Sequence, residues 1–416
     1  MRALVFDLSI PKYLVARAAG TKHRRLFLGG GSCTSLRNVA QPRPPDAAWA
    51  VIAPQLVGVC GTDLATVFFK LSPVLSALSS SPSTLGHEIF ARIDRLPLRA
   101  RDALGSPIAE GDGVVIDPFA SCAARGLGEA DACASCSIGA YTTCERAGTG
   151  PRIGMMLGSG VELPGGFASR TIAHESMLFR VQGRIKDDHV AALVEPLAVA
   201  VQAVATHAPR SGRVLVIGGG PIGLGVAWAL DRLCPDVEVT LVSLESFQLD
   251  HARRLGAEQA IAPPRGADVL ELYADRLRSP LLRPVMGRPF LAGGFDAVFD
   301  CVGLPSTLDD ALRCTRPRGT VVMAGCHAIV PKIDMTFIWS RELRLVGTLA
   351  YGWCDDGTGK RVRTFQRTIE LVSSDEAKLR PLVTHELPLE RYREAFDLTL
   401  DRRANQSVKV LLRPNG

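Results

Sequence analysis

The sequence predicts an α/β protein with a mostly-β first domain and a second domain built on a doubly wound parallel sheet. Three observations predict this: the length, the short strands and turns before residue 190, and the alternation of apolar strands and helices after it. A chain of 416 residues is too long for one ordinary core, so two domains are expected. We place the first domain at residues 1–188, with 348–416 returning to it, and the second at 189–347.

The composition is that of an ordinary soluble protein, with 47% hydrophobic and 22% charged residues. A net charge of +6 without a long basic run argues against a nucleic-acid partner. Without an apolar stretch long enough for a membrane span or a secretion signal, a cytoplasmic location is expected. Eleven cysteines in a reducing compartment indicate metal ligands rather than disulfides.

Short apolar strands separated by glycine and proline dominate the first 180 residues. Strands are predicted at the N-terminus (1–7), at Leu56–Val59 and at Val114–Pro118. Two segments, Ala19–Pro45 and Ser72–Ser83, are predicted to be loops or insertions.

Strands and helices alternate after residue 190, which favours a parallel sheet covered on both faces. Pro263–Gly294 is expected to insert between two βα units. The predicted strands are Arg213–Ile217, Glu238–Ser243, Phe295–Asp300 and Thr320–Ala324, and the predicted helices are Ala191–His207, Ile222–Cys234, Leu249–Leu255 and Thr307–Cys314.

A glycine-rich turn joins the first of these strands to its helix and fits the dinucleotide fingerprint G-x-G-x-x-G. Gly218 allows the tight turn, Gly220 lets the backbone approach a pyrophosphate, and Gly223 lets the helix pack closely on the strand. Pro221 and Ile222 open the helix, whose N-terminal N–H groups face the phosphates. The pattern predicts binding of NAD or NADP.

The end of the second strand bears on the choice between these nucleotides. An acidic residue there would bind the ribose hydroxyls of NAD, but the strand ends at Ser243. Serine does not repel a 2′-phosphate, which favours NADP, yet no arginine follows at once. Glu245 could instead serve the ribose if the turn is shifted, so NAD and NADP both stay open.

Cys133, Cys136 and Cys144 lie within twelve residues, as in a zinc knuckle. Cys122 lies upstream and can provide a fourth sulfur, although ten residues rather than two separate it from Cys133. Four thiolates close a tetrahedron and leave no open position, which predicts a structural rather than a catalytic zinc.

A second ligand set is split between two turns. Cys60 begins the sequence Cys-Gly-Thr-Asp, and His87 and Glu88 follow Gly86. One thiolate, one imidazole and one carboxylate suit a tetrahedral zinc with room left for substrate.

The order of these motifs resembles the zinc-dependent medium-chain dehydrogenase/reductase family, within it most closely the sorbitol and threonine dehydrogenase branch. The resemblance covers nearly the whole chain and includes Asp300–Gly303, through which Val302 is matched to the cofactor site. It implies a GroES-like catalytic domain, a Rossmann cofactor domain and a homodimer or homotetramer. The residues it assigns are Cys60, His87, Glu88 and Glu195 for a catalytic zinc, Cys122, Cys133, Cys136 and Cys144 for a structural zinc, Asp63 as the acid that orients the histidine, and Thr62 for proton transfer.

The same resemblance implies the chemistry. Zinc would lower the pKa of a secondary alcohol or polyol, Thr62 would accept its proton, and NAD or NADP would take the hydride. Many relatives carry a histidine two residues after the aspartate for the next proton transfer, whereas this chain has Ala65. A formaldehyde- or aromatic-alcohol-type dehydrogenase and a non-enzymatic nucleotide-binding sensor are the alternative interpretations.

Overall fold

The computed structural model describes residues 1–20, 24–28, 31–264, 266–326 and 328–415, which form two compact units. The first unit comprises Met1–Glu195 and Phe365–Gly416, and the second comprises Pro196–Thr364. The chain therefore leaves the first unit once and returns to it. Both boundaries fall further along the chain than residues 188 and 347.

The strands have the following bounds: β1 Arg2–Phe6, β2 Thr34–Asn38, β3 Trp49–Gly58, β4 Ser83–Thr84, β5 Glu88–Arg95, β6 Gly113–Ile116, β7 Thr171–His174, β8 Leu178–Arg180, β9 Ser211–Ile217, β10 Asp236–Val242, β11 Gln259–Ile261, β12 Leu281–Leu282, β13 Phe290–Leu291, β14 Phe295–Asp300, β15 Thr315–Met323, β16 Arg344–Gly347, β17 Trp353–Asp355, β18 Arg361–Arg363, β19 Val383–Pro388 and β20 Lys409–Arg413.

The α-helices are α1 Ile10–Ala19, α2 Arg25–Leu28, α3 Gly61–Val67, α4 Ala134–Ser137, α5 Asp188–Ala191, α6 Val194–His207, α7 Pro221–Leu233, α8 Ser246–Arg254, α9 Val269–Leu277, α10 Pro305–Cys314, α11 Thr336–Ser340, α12 Thr364–Ser374, α13 Glu376–Leu379, α14 Tyr392–Leu400 and α15 Arg402–Asn405. Short 3-10 helices lie at Pro73–Leu78, Ala123–Arg125, Glu129–Asp131, Tyr141–Thr143, Glu175–Met177, Arg380–Leu382 and Leu389–Arg391. Within the described ranges, no helix is long and apolar enough to cross a membrane.

The second unit is built on a six-stranded sheet in the order β11-β10-β9-β14-β15-β16. Every neighbouring pair is parallel, which confirms the doubly wound fold. The strand order changes direction beside β9, whose carboxyl end leads into the glycine-rich turn. Ligands of such sheets bind at this kind of position.

Two of the segments predicted as loops or insertions contain helices and strands, so interpreting them as loops is wrong, although Pro263–Gly294 does lie between β11 and β14. Pro263–Gly294 holds helix α9 and the hairpin β12–β13. Leu270 and Tyr273, one helical turn apart, are buried in the core, but prolines on both sides obscure so short a helical pattern. Ala19–Pro45 holds α2 and β2, which pairs with β1, while residues 21–23 and 29–30 lie outside the described residues.

The first unit contains a mostly antiparallel sheet in the order β19-β20-β3-β5-β6-β8, with β7 also paired to β3. Gly58, the last residue of β3, pairs with Glu88 of β5 on one side and with Leu411 of β20 on the other. Three chain segments that are far apart in sequence thus meet where the predicted metal-binding turns begin.

His174 ends β7 and is buried against Trp49 of β3, with ring centroids 5.7 Å apart. Its Nδ1 accepts a hydrogen bond from the Ser176 backbone N–H at 3.2 Å. Burial, together with the charges of the nearby Arg152 and Arg99, lowers the pKa of His174 to about 4 against the opposing effect of Asp46. The folded protein therefore holds this histidine neutral.

Replacing His174 by glutamine should make the first unit less sensitive to acid. The folded pKa of His174, about 4, lies below its unfolded value of about 6.5, so its contribution is complete above pH 6.5 and is lost as the pH falls. At pH 5 the wild type should lose about 2 kcal/mol through this group relative to pH 8, and His174→Gln should not. Urea unfolding at both pH values tests this, with His385→Gln, at a partly exposed histidine, as the control. An equal acid sensitivity of His174→Gln and wild type would contradict the assignment.

Candidate active site

Two groups of side chains in the described ranges could hold a metal ion: Cys60, His87 and Glu88 form one, and Cys122, Cys133, Cys136 and Cys144 the other. In each group the candidate ligand atoms all lie within 4.8 Å of one another. The fold thus brings together the residues that the sequence assigned to each site, with the exception of Glu195.

Asp63 holds together the two turns that carry the first group. One carboxylate oxygen accepts the Cys60 backbone N–H at 2.9 Å, and the other accepts the Gly86 N–H at 3.3 Å. The side chain is almost completely buried, so both hydrogen bonds replace contacts with water. Asp63 therefore does more than orient the histidine, the only role that the sequence suggested.

His87 is buried between Asp63 and Thr62. Its Nδ1 lies 3.7 Å from Asp63 Oδ1, and its Nε2 lies 3.4 Å from Thr62 Oγ1. Because Nδ1 faces the carboxylate, Nε2 is the nitrogen left for a metal. Burial alone would lower the pKa of His87, but the charges of Asp63 and Cys60 outweigh it and raise that pKa well above its usual value. The local potential is negative and favours a cation.

Glu88 makes a buried ion pair that the sequence analysis missed. Both of its carboxylate oxygens accept hydrogen bonds from Lys409 Nζ, at 2.7 and 2.5 Å, and each side chain is only 2% exposed. Lys409 also lies 3.5 Å from the Val59 carbonyl oxygen, directly before Cys60. A Cβ atom on Gly58 would lie 1.8 Å from Glu88 Oε2, so the carboxylate occupies space that only glycine leaves.

The first group fits a zinc ion after small movements. In a tetrahedron, ligands at 2.0–2.3 Å from zinc lie about 3.3–3.8 Å from one another, and the candidate ligand atoms here all lie within 4.8 Å of one another. Lys409 would compete with a metal for the Glu88 carboxylate, which leaves Cys60 and His87 as the first two candidate ligands. Glu195 is buried in α6, but its carboxylate lies outside this group.

A second cation, the half-buried Arg402, faces the same site. It begins α15, and its Nε donates to the Thr399 carbonyl oxygen at 3.1 Å. Burial lowers the pKa of Arg402, while the charges of Cys60 and Glu88 oppose that shift. Lys409 and Arg402 together offset negative charge beside the candidate ligands. A lysine between Val408 and Val410 in an apolar strand was the one sequence signal for this arrangement.

The four cysteines match the dimensions of a zinc–thiolate tetrahedron. Four sulfurs at 2.3 Å from zinc lie about 3.8 Å apart, and the Cys122 and Cys144 sulfurs are 3.7 Å apart. The backbone N–H groups of Cys122, Cys133 and Cys136 each point to another cysteine sulfur at 3.4 Å. Short 3-10 turns at Ala123–Arg125 and Glu129–Asp131 fold back the additional residues between the first two cysteines.

The cluster favours a thiolate at Cys144. A hydrogen bond from Cys136, with a smaller contribution from Arg125, lowers the pKa of Cys144 to about 4 against the effect of burial. The partner Cys136 has its pKa raised, first by that hydrogen bond and then by burial. A site that stabilises a thiolate is suited to bind a metal cation.

The glycine-rich turn has the backbone that its sequence requires. Gly218 has a φ of +106°, and a Cβ on Gly223 would lie 1.9 Å from the Gly218 carbonyl oxygen. Gly220 is the N-cap of α7, and Pro221 occupies its first turn. Val302 follows β14 and packs against the turn, since a Cβ on Gly218 would lie 2.6 Å from Val302 Cγ2.

Ser243 lies directly after β10, as predicted, but it is engaged with a neighbour. Its hydroxyl donates to Gln248 Oε1 at 2.5 Å and accepts the Glu245 backbone N–H at 3.2 Å. Ser243 and Gln248 are both buried beside Gly219. The carboxyl end of β10 therefore carries an uncharged hydrogen-bonded pair, Ser243 and Gln248. The sequence analysis did not identify Gln248.

Comparison with known proteins adds an independent observation. The chain matches the family of alcohol dehydrogenase GroES-like domains over residues 46–183 and the family of zinc-binding dehydrogenases over residues 221–374. It is 28% identical to a probable (R)-acetoin-forming diacetyl reductase of Saccharomyces cerevisiae, with 94% of this chain and 89% of that protein covered. It is 25% identical to L-idonate 5-dehydrogenase of Vitis vinifera, with 85% of each covered.

A similar fold occurs in the crystal structure of 2R,3R-butanediol dehydrogenase from Bacillus subtilis. The TM-score is 0.67 at 24% sequence identity, and the superposition covers 92% of this chain and 96% of the other. The two-unit architecture is thus one already known from solved structures.

Replacing Lys409 by methionine should destabilise the metal-free protein by about 3 kcal/mol, because it leaves the buried Glu88 carboxylate without a partner. Saturating zinc should recover part of that loss, since the metal can take over the carboxylate. Urea unfolding with zinc and with chelator measures both effects. The double variant Lys409→Met/Glu88→Gln is the control and should regain stability without metal. A metal-free Lys409→Met protein as stable as the wild type would show that the pair is not a structural constraint.

Proposed function

Because the chain belongs to the zinc-dependent medium-chain dehydrogenase/reductase superfamily, we propose that it transfers a hydride between a secondary alcohol or polyol and NAD or NADP. The observation that carries this proposal is the convergence of Cys60, His87 and Glu88, with Thr62 beside His87 Nε2. Two similar proteins support the substrate class, since acetoin is a secondary alcohol and carbon 5 of idonate carries a secondary hydroxyl group.

Residues of the first unit have separate roles at the proposed metal site. A zinc ion held there supplies a Lewis acid that makes an alcohol more acidic. Cys60 and His87 would hold it, and Asp63 lies on the Nδ1 side of His87, which leaves Nε2 for the metal. The Thr62 hydroxyl, 3.4 Å from that nitrogen, is placed to accept the substrate proton. With Ala65 in place of a histidine, the proton leaves Thr62 through water or a ribose hydroxyl.

The other assignments are part of the same proposal. Glu88 could be held either by Lys409 or by the metal, and Glu195 would bind the metal directly or through water. The first unit is the catalytic domain, and the four-cysteine zinc stabilises it. The second unit binds the nucleotide at Gly218–Gly223, with Val302 against the turn.

Partners and location are also proposed. A homodimer or homotetramer is consistent with the family and with β16, an exposed edge of the parallel sheet in the described residues. Small-molecule alcohols or carbonyl compounds are the partners at the site, without a role for nucleic acid or membrane. The proposed location is the cytoplasm.

The neutral Ser243–Gln248 pair predicts the direction of an engineered change in cofactor preference. Ser243→Asp should lower kcat/KM for NADP relative to NAD by about tenfold, because a carboxylate repels the 2′-phosphate and accepts the ribose hydroxyls of NAD. Steady-state rates with both nucleotides measure the ratio. Ser243→Ala removes the hydroxyl without adding charge and is the control. An unchanged ratio in Ser243→Asp would place the adenosine ribose elsewhere.

The function itself is tested with zinc-replete protein and a panel of vicinal diols, polyols, primary aliphatic alcohols, aromatic alcohols and formaldehyde, each with NAD and NADP. Secondary alcohols should have the highest kcat/KM, and Cys60→Ser should lower turnover at least about a thousandfold while the fold survives. Cys234→Ser, at a partly exposed cysteine outside both clusters, is the matched control. A preference for formaldehyde or aromatic alcohols would favour that alternative, and tight nucleotide binding without turnover would favour a sensor.

A further inference from the structure

Arg125 is a buried cation within the extended segment between the first two cysteines of the four-cysteine cluster. It ends the 3-10 turn Ala123–Arg125, which follows Cys122 directly, and it is only 1% exposed. Its backbone N–H donates to the Cys122 carbonyl oxygen at 3.1 Å. The additional residues between Cys122 and Cys133 thus place a guanidinium against the cluster.

Backbone carbonyl groups hold the end of this guanidinium. Nη2 donates to Gly154 at 2.6 Å and to Ala120 at 3.2 Å, and Nη1 donates to Pro151 and to Arg152. Its Nε has no hydrogen-bond acceptor among the described residues. No carboxylate in the described part of the chain forms an ion pair with Arg125, so its charge has no ordinary counter-ion.

A second buried arginine in the described residues also donates its hydrogen bonds to backbone carbonyl groups. Arg341, in the second unit, donates to the carbonyl oxygens of Leu291, Gly293 and Thr315, and it is 9% exposed. Arg125 differs in its position, between two cysteines of the cluster: its backbone N–H bonds to the Cys122 carbonyl oxygen, and its guanidinium bonds to the carbonyl oxygen of Ala120, two residues before Cys122. These bonds place the buried cation beside the cluster, and Arg125 is one of the groups that lower the pKa of Cys144.

We propose that Arg125 is a positioning residue that offsets the negative charge of the zinc-loaded four-cysteine cluster and retains the metal there. Zinc with four thiolates carries a net charge of −2, and a buried charge of that size is costly unless opposite charge lies close by. A guanidinium fixed by carbonyl groups provides that charge without being a ligand. The inference rests on the proposed structural zinc, which the wild-type metal content tests separately.

The test measures zinc by mass spectrometry in the full-length protein before and during exposure to excess chelator. Arg125→Met should lose the zinc of this cluster at least about tenfold faster than the wild type, because groups around the ligands commonly change metal affinity by that factor or more. Arg125→Lys keeps the charge but loses the planar guanidinium, and its rate of zinc loss should stay within about threefold of the wild-type rate. Arg341→Met removes a comparably bonded buried arginine from the other unit and should not change the loss from this cluster.

Several outcomes would overturn the inference. Equal rates for Arg125→Met and wild type would exclude a role in retention. Equally fast loss from Arg125→Lys and Arg125→Met would assign retention to the hydrogen bonds rather than to charge, and Arg125→Lys provides this test even where Arg125→Met does not fold. A wild-type protein without a zinc at the four cysteines would instead refute the metal site on which the inference rests. Circular dichroism of each variant checks that the fold is retained.

Discussion

A buried ion pair between Glu88 and Lys409 joins the C-terminal strand β20 to the turn that carries the candidate metal ligands. Water reaches neither side chain, so each charge depends on the other or on a metal. Strand β3 runs between β5 and β20 and ends at Gly58, whose missing side chain leaves room for the Glu88 carboxylate. The return of the chain to the first unit therefore completes the electrostatic environment of the site.

Both cysteine-containing sites combine negative ligands with nearby fixed cations. Lys409 and Arg402 face Cys60 and Glu88, while Arg125 lies against the four-cysteine cluster. At the first site, Lys409 and a metal would compete for the Glu88 carboxylate. Such competition suits a site where metal coordination changes during a reaction. The second is closed by four sulfurs and suits a metal that stays in place. Buried cations thus offset negative ligands both at the candidate catalytic site and at the candidate structural site.

Sequence reasoning found the features that depend on short spacing. The turn at Cys60–Asp63, the cysteine cluster and the glycines at Gly218–Gly223 each form within a few residues, and the alternation after residue 190 predicted the parallel sheet. Features that depend on distant pairing could not be found this way. Lys409 lies 321 residues from Glu88. The Arg125 guanidinium bonds to the carbonyl groups of Pro151 and Gly154, which lie 26 and 29 residues further along the chain, so its burial could not be predicted from local spacing.

We propose that Cys60 and His87 hold a metal that is distinct from the one at the four cysteines. Zinc content per chain, measured in the wild type and in a Cys60→Ser/His87→Ala double variant, tests it most directly. Two zinc ions per wild-type chain and one per variant chain are expected, with the secondary structure unchanged. Equal zinc content in the two proteins would contradict it, because the turns at Cys60 and His87 would then form no metal site.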